Sequence, residues 1–149
     1  MNCEKTARAI IEVEKDAEKY IVSIKRTKYK NGNIYKVYYT FPGGHIENGE
    51  SSEDTVIREV YEELSVEIDI TKEIANIFNS DIKRQEIFYI CSLKSGVIKP
   101  GNGPEWTNPD VEKYGDYEIV YIKCNELEQY NLLPSEIKNL LIKKYILDT

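Results

Sequence analysis

Apolar residues recur with a period of two over most of this chain, and a helical period replaces it in only two places. Ala7, Ala9, Ile11 and Val13 alternate and predict a strand over residues 7–14. Residues 19–29 (KYIVSIKRTKY) predict a second strand, and Ile34 to Phe41 a third. The turn signal Lys30-Asn31-Gly32-Asn33 between them predicts a hairpin. Val66, Ile68 and Ile70 alternate as a short strand, and Ile74 to Phe78 predicts another. Glu86 to Leu93 (EIFYICSL) reads as a central strand, which Val97 to Lys99 extends or borders as an edge. Tyr117 to Lys123 is the last strand. The helical period appears from Ser52 to Leu64, where Val56, Val60 and Leu64 form a stripe with Ile57 and Tyr61 beyond it. It returns after Pro134, which suits a first turn; Ile137, Leu140, Leu141 and Tyr145 then line one face. Between the last two strands, Pro100 to Asp116 carries three prolines and three glycines and reads as an irregular loop. A loop of that length in a compact domain is usually functional. Strands flanking one helix, with a second helix near the end, predict an α+β or α/β sandwich fold.

Composition narrows the picture. A length of 149 residues fits a single domain, 1–149, with a real core. No apolar run approaches a membrane span, and MNCEKTARAIIEVEKD lacks the basic-then-apolar pattern of a signal peptide. A cytoplasmic location is expected. Cys3, Cys91 and Cys124 are odd in number and scattered, which fits reduced thiols, two of them in apolar strands. With no CxxC pair and a single histidine, a zinc site is not expected. The net charge of −6 argues against non-specific nucleic-acid or membrane partners. It also means that a polyanionic substrate needs a local cation.

That charge is concentrated where chemistry is most legible. The stretch GHIENGESSEDTVIREVYEELSV, Gly44 to Val66, follows Phe41-Pro42-Gly43. The glycines let the backbone turn tightly and approach a ligand. Ser51 is a helix cap, with Asp54 in capping-box position. At about 100° per residue, Glu59, Glu62 and Glu63 share a helix face. Like charges at that spacing cost a helix a few tenths of a kcal/mol each, so helix stability gives no reason for them. A divalent cation reverses the sign, and hard carboxylate oxygens suit Mg²⁺ or Mn²⁺. Arg58 can pair with Glu62, four residues on, and hold rotamers. A solvated acidic face is the ordinary explanation for Glu62-Glu63 alone. The whole spacing, by contrast, arises by chance on the order of once in 10⁷ to 10⁸ starts at average residue usage.

The stretch resembles the Nudix box, G-x5-E-x7-R-E-U-x-E-E-x-G-U with U aliphatic, and Phe41-Pro42-Gly43-Gly44 resembles its usual lead-in. Ser65 stands where the family has glycine, at the helix end where a left-handed backbone is favoured. The resemblance implies a mixed sheet held between helices and Mg²⁺-dependent hydrolysis of a nucleoside diphosphate linked to another group, with Mn²⁺ as an alternative. Carried over by position, Glu59 and Glu63 are the first choices for metal ligands. Glu62 comes third, as ligand or as base for the attacking water. Glu50 is an auxiliary ligand, Arg58 an orienter, and Gly44 a source of backbone atoms for metal or phosphate. Family members often add a carboxylate from outside the box, for which Glu105 and Glu118 are the candidates and Glu105 is preferred. Trp106 either stacks on a nucleobase or packs its loop onto the core. His45 is a loop histidine for which a role as base is the lesser reading.

Subgroup markers are missing. There is no SQPWPFPxS run as in NADH hydrolases, and no proline at the position past the box where ADP-ribose hydrolases carry one. Ile82, Lys83 and Arg84 fill the window where dinucleoside polyphosphate hydrolases carry a tyrosine. The expected partner is therefore a nucleotide, most simply a nucleoside triphosphate, with a homodimer admitted by the resemblance. The alternative is a sensor of the same fold that binds a nucleotide without cleaving it. RNA 5′-end hydrolysis fits poorly with the acidic balance.

Overall fold

Strands β1 and β6 lie at the centre of the first of two units into which the chain gathers, Met1–Glu12 with Pro42–Gly101. The computed structural model describes residues 3–107 and 110–148. Strand β1 (Glu4–Lys15) runs antiparallel to β4 (Gly43–His45) on one side and parallel to β6 (Arg84–Ser95) on the other. Strand β5 (Glu67–Asn79) pairs antiparallel with β6. The sheet of this unit is therefore mixed. Ala7, Ala9, Ile10, Ile11, Phe88 and Cys91 are fully buried in its two central strands, as their apolar sequence requires. The expected break between residues 70 and 74 is absent. Strand β5 continues through it, and register shifts at Ile70/Lys72 and Glu73/Ala75 absorb the change of pattern.

Helix α1 (Ser52–Leu64) has the bounds its sequence predicts. It packs on β4 and β5, and Val56, Val60 and Leu64 are fully buried, while Ile57 and Tyr61 are largely exposed. Each buried side chain of the stripe is worth about 1.5–3 kcal/mol, far above the few tenths lost to one carboxylate pair. Ser51 accepts from Asp54 N at 3.0 Å, closing the first turn.

The other end of α1 explains why Val97 to Lys99 forms no strand. Gly96, at φ +98, turns the chain back towards the helix. Lys99 N donates to Leu64 O at 3.1 Å and Gly101 N to Glu63 O at 2.9 Å, satisfying carbonyls the helix leaves unpaired. A Cβ on Gly101 would lie 1.9 Å from Glu62 O, so this approach needs glycine.

The second unit, Val13–Phe41 with Asn102–Thr149, is built on β2 (Glu18–Lys30). It lies between β3 (Asn33–Thr40) and β7 (Asp116–Lys123), antiparallel to both. Asn31 and Gly32, at φ 53 and 78, make the two-residue hairpin turn that the Asn-Gly pair predicts. The predicted irregular loop contains two short helices, α2 (Pro104–Thr107) and α3 (Val111–Tyr114). Asp110 caps α3, its carboxylate accepting from Lys113 N at 3.2 Å. A 3₁₀ segment, Cys124–Gln129, was not expected, and α4 (Ser135–Ile142) follows, continuing as a π-helical turn over Lys143–Leu147. Ile137 and Leu141 are fully buried, but Leu140 is exposed. It lies about 100° round the helix from Leu141 and so leaves the packed face. Cys91 and Cys124 are buried, Cys3 is exposed, and none of the three is in a disulfide. Burial pushes the Cys91 thiol up to about 12, so it is no nucleophile. Among the described residues no helix is long and apolar enough to cross a membrane.

Ser65 takes the left-handed conformation, φ 62 and ψ 25, that the missing glycine would adopt without strain. Its weak hydroxyl contact to Pro100 O, at 3.5 Å, offsets little of that cost. Ser65→Gly is expected to raise unfolding stability by about 1 kcal/mol, and Ser65→Val to lower it. Urea unfolding of the three proteins reads both changes.

Candidate active site

Gly43 and Gly44 form the floor of the site because nothing larger fits there. A Cβ on Gly43, at φ +150, would lie 2.1 Å from Ala7 O, and one on Gly44 would lie 2.4 Å from the Glu59 carboxyl carbon. The β1–β4 register, Ala7 opposite Gly44 and Arg8 opposite Gly43, brings the backbone into this position. The hydrogen bond from Ala9 N to Pro42 O, 2.8 Å, continues it. Two glutamates of α1 then meet the floor. Glu63 Oε1 accepts from Gly43 N at 2.9 Å, and the Glu59 carboxylate lies against Gly44. They are four residues apart on the face that Val56, Val60 and Leu64 hold near the sheet.

Arg58 organises the remaining carboxylates. Its Nε and Nη2 donate to the two oxygens of Glu50 at 2.7 and 3.0 Å, a bidentate pair. Its Nη1 donates to Glu59 at 3.1 Å and to both oxygens of Glu62 at 3.3 Å. The same guanidinium reaches His45 O at 3.4 Å, so the loop before the helix is fixed by the pair that fixes the helix face. Thr55, fully buried, donates to Glu50 Oε1 at 2.6 Å. Sequence reading left Thr55 out; only its place in the capping turn, among buried residues, marks it.

The four carboxylates differ in environment. The Arg58 pair and the Thr55 hydroxyl hold Glu50 down at about 2, so it is ionised at any physiological pH. Burial pushes Glu59 upward, and Glu62 adds to the shift against the opposing pull of Arg58 and Arg8. Glu62 is more exposed than the other two carboxylates that Arg58 hydrogen-bonds, its side chain 48% exposed against 20% for Glu59 and 18% for Glu50. Among the described residues no three His, Cys, Asp or Glu side chains converge as a finished metal cage. The donor chemistry nevertheless fits a hard cation. Glu59 and Glu63 present carboxylate oxygens beside a glycine backbone, and Mg²⁺ takes one or two protein carboxylates and completes its shell with water and phosphate.

Three of the other residues singled out in the sequence, Glu105, Trp106 and Glu118, belong to the second unit. Glu105 belongs to α2 in the second unit, and its side chain lies outside the described residues. Trp106, in the same helix, meets Tyr117 edge-on with ring centroids 6.0 Å apart. Glu118 is exposed on β7, opposite Lys25 of β2. His45 is exposed at the end of β4.

The Glu50 pair links stability to acid. Glu50 has a lower pKa folded than its ordinary 4.5, so its contribution is fully present above 4.5 and disappears as pH falls towards 2. Glu50→Gln is expected to destabilise the protein at neutral pH, with the deficit shrinking across that window. Chemical unfolding at a series of pH values measures it, and a deficit independent of pH would contradict the assignment.

A NUDIX domain profile matches residues 4–135. Among solved structures, the chain is similar to a NUDIX hydrolase from Nitrosomonas europaea, with a TM-score of 0.67 and 18% identity over 97% of this chain and 73% of that one. It is similar to a MutT structure from work on Aliivibrio salmonicida and Vibrio cholerae, with a TM-score of 0.61 and 22% identity over 99% and 100% of the two chains. A C. elegans Ap4A hydrolase aligns with a TM-score of 0.65 and 14% identity over 95% and 94%. At these identities the likeness carries the fold, a mixed β-sheet with a few helices. Because the profile runs over nearly the whole chain and includes the acidic helix with its glycine floor, the chain belongs to the NUDIX family of hydrolases.

Proposed function

We propose that this protein is a Mg²⁺-dependent nucleotide pyrophosphohydrolase acting on a nucleoside triphosphate or a related nucleoside diphosphate derivative. The observation that carries the reading is the pair Glu59 and Glu63, held against Gly43 and Gly44 while Arg58 neutralises the surrounding acids. A pyrophosphate bond resists hydrolysis because its own negative charge repels the incoming oxygen. Catalysis must therefore neutralise charge and position a water.

In this reading Glu59, Glu63 and backbone atoms of Gly44 hold the cation, with Glu62 and Glu50 as lesser partners. When bound, the cation neutralises the bridging phosphates and lowers the pKa of a water. Arg58 keeps Glu50, Glu59 and Glu62 from repelling one another, so the face is ordered before substrate arrives. In this reading Glu62, the most exposed of the three, takes the proton from the attacking water. The water oxygen bonds to phosphorus, the bridging P–O bond breaks with its electron pair on the departing phosphate oxygen, and the proton of the water passes to the carboxylate and then to solvent. Substrate choice rests on the absent subgroup markers, which leave a nucleoside triphosphate as the simplest candidate.

Two measurements test this reading. A panel of nucleoside triphosphates, sugar nucleotides and dinucleoside polyphosphates should yield phosphate or pyrophosphate with Mg²⁺ and none in EDTA. Tight binding of a nucleotide with no product would favour the sensor alternative. Glu63→Gln keeps an oxygen for Gly43 N, so the fold should survive, while kcat should fall about 10²-fold or more. An unchanged kcat would remove Glu63 from the mechanism.

A further inference from the structure

Arg8 is a charged side chain, only 21% exposed, in a strand whose neighbours Thr6, Ala7, Ala9, Ile10 and Ile11 are all buried. Burying a guanidinium beside a carboxylate costs desolvation that aliphatic side chains at the same places would avoid. Nothing in the sheet's stability calls for it, so its contacts matter.

Those contacts form a chain of pairs within the first unit. The parallel β1–β6 register sets Thr6 opposite Glu86, and Thr6 donates to Glu86 Oε1 at 3.0 Å. The same oxygen lies 3.7 Å from Arg8 Nε. Glu86 is itself only 13% exposed, so it has little water to replace that pair. Arg8 Nη1 then donates to Gly43 O at 3.3 Å, and the Arg8 stem lies where a Gly43 Cβ would sit. Gly43 in turn donates its N–H to Glu63. The Gly43 main chain is thus held at its carbonyl by Arg8 and holds Glu63 at its nitrogen.

We propose that Arg8, braced by Glu86 and Thr6, is a positioning residue that fixes Gly43 and, through it, the carboxylate of Glu63. The catalytic consequence rests on the pyrophosphohydrolase reading; the structural one does not. A glycine at φ +150 has freedom to move. The β-ladder alone fixes its height above β1, whereas the guanidinium fixes the rotation of its peptide planes. A charge-assisted hydrogen bond suits that task better than a packed methylene.

The test uses Arg8→Met, which keeps the stem, together with Arg8→Lys and Glu86→Gln. In the protein without added metal, amide exchange at Gly43 should be about tenfold faster in Arg8→Met, while Ile10 in the core keeps its protection. On the substrate that the wild type turns over, kcat should fall about 10- to 100-fold. KM should stay within about threefold. Arg8→Lys should restore part of kcat, and Glu86→Gln added to Arg8→Met should cost little more. Unchanged Gly43 exchange, or altered exchange with wild-type kcat, would overturn the inference. So would a loss of protection spread over Ile10 as well, which marks a stability defect alone. A wild type that cleaves nothing in the panel would refute the pyrophosphohydrolase reading. Gly43 exchange would then decide the positioning on its own.

Discussion

One guanidinium keeps the acidic face of α1 together. Glu50, Glu59 and Glu62 all approach Arg58 within 3.3 Å, and without it three negative charges would face one another. The strongest pair is the bidentate one to Glu50, which ties the loop before the helix to the helix itself. That tie has a geometric consequence as well as an electrostatic one. By also reaching His45 O, Arg58 ties the end of β4 to α1.

The second constraint is steric. Gly43 and Gly44 have no room for a side chain, because a main-chain oxygen occupies one place and a carboxylate the other. A carboxylate can sit so close to backbone only if the helix carrying it is anchored independently. Val56, Val60 and Leu64 supply that anchor at one flank, and the segment after β6 closes the far end by donating to the carbonyls of Glu63 and Leu64. Apolar burial therefore fixes where the helix lies, and polar pairs fix what its acidic face presents. The two act on adjacent flanks of the same helix and do not compete.

The helix, its cap and its buried stripe were legible in the residues because each depends on neighbours three or four positions away. The Asn31-Gly32 hairpin was legible for a similar reason, since only a left-handed pair of residues closes it. Asp16 and Ala17 adopt the same left-handed pair, at φ 54 and 65, without a glycine to announce it. The short helices in the predicted loop were missed because proline and glycine mark the limits of a helix as well as its absence. The single long β5 was read as two strands because its register shifts interrupt the alternation.

What the sequence determined by itself was most of the long strands, the acidic helix with its bounds and the identity of the residues on its face, all set by local spacing. Tertiary structure decided which of those glutamates meet the glycine floor, and it did so through the register of β4 on β1. It also brought in Thr55, Arg8 and Glu86, the last two separated by nearly eighty positions. No local pattern marks Arg8 and Glu86, because their partners are chosen by strand pairing. The spread of carboxyl environments from Glu50 to Glu59 follows from the fold, since burial and the reach of a guanidinium exist only once the chain has folded.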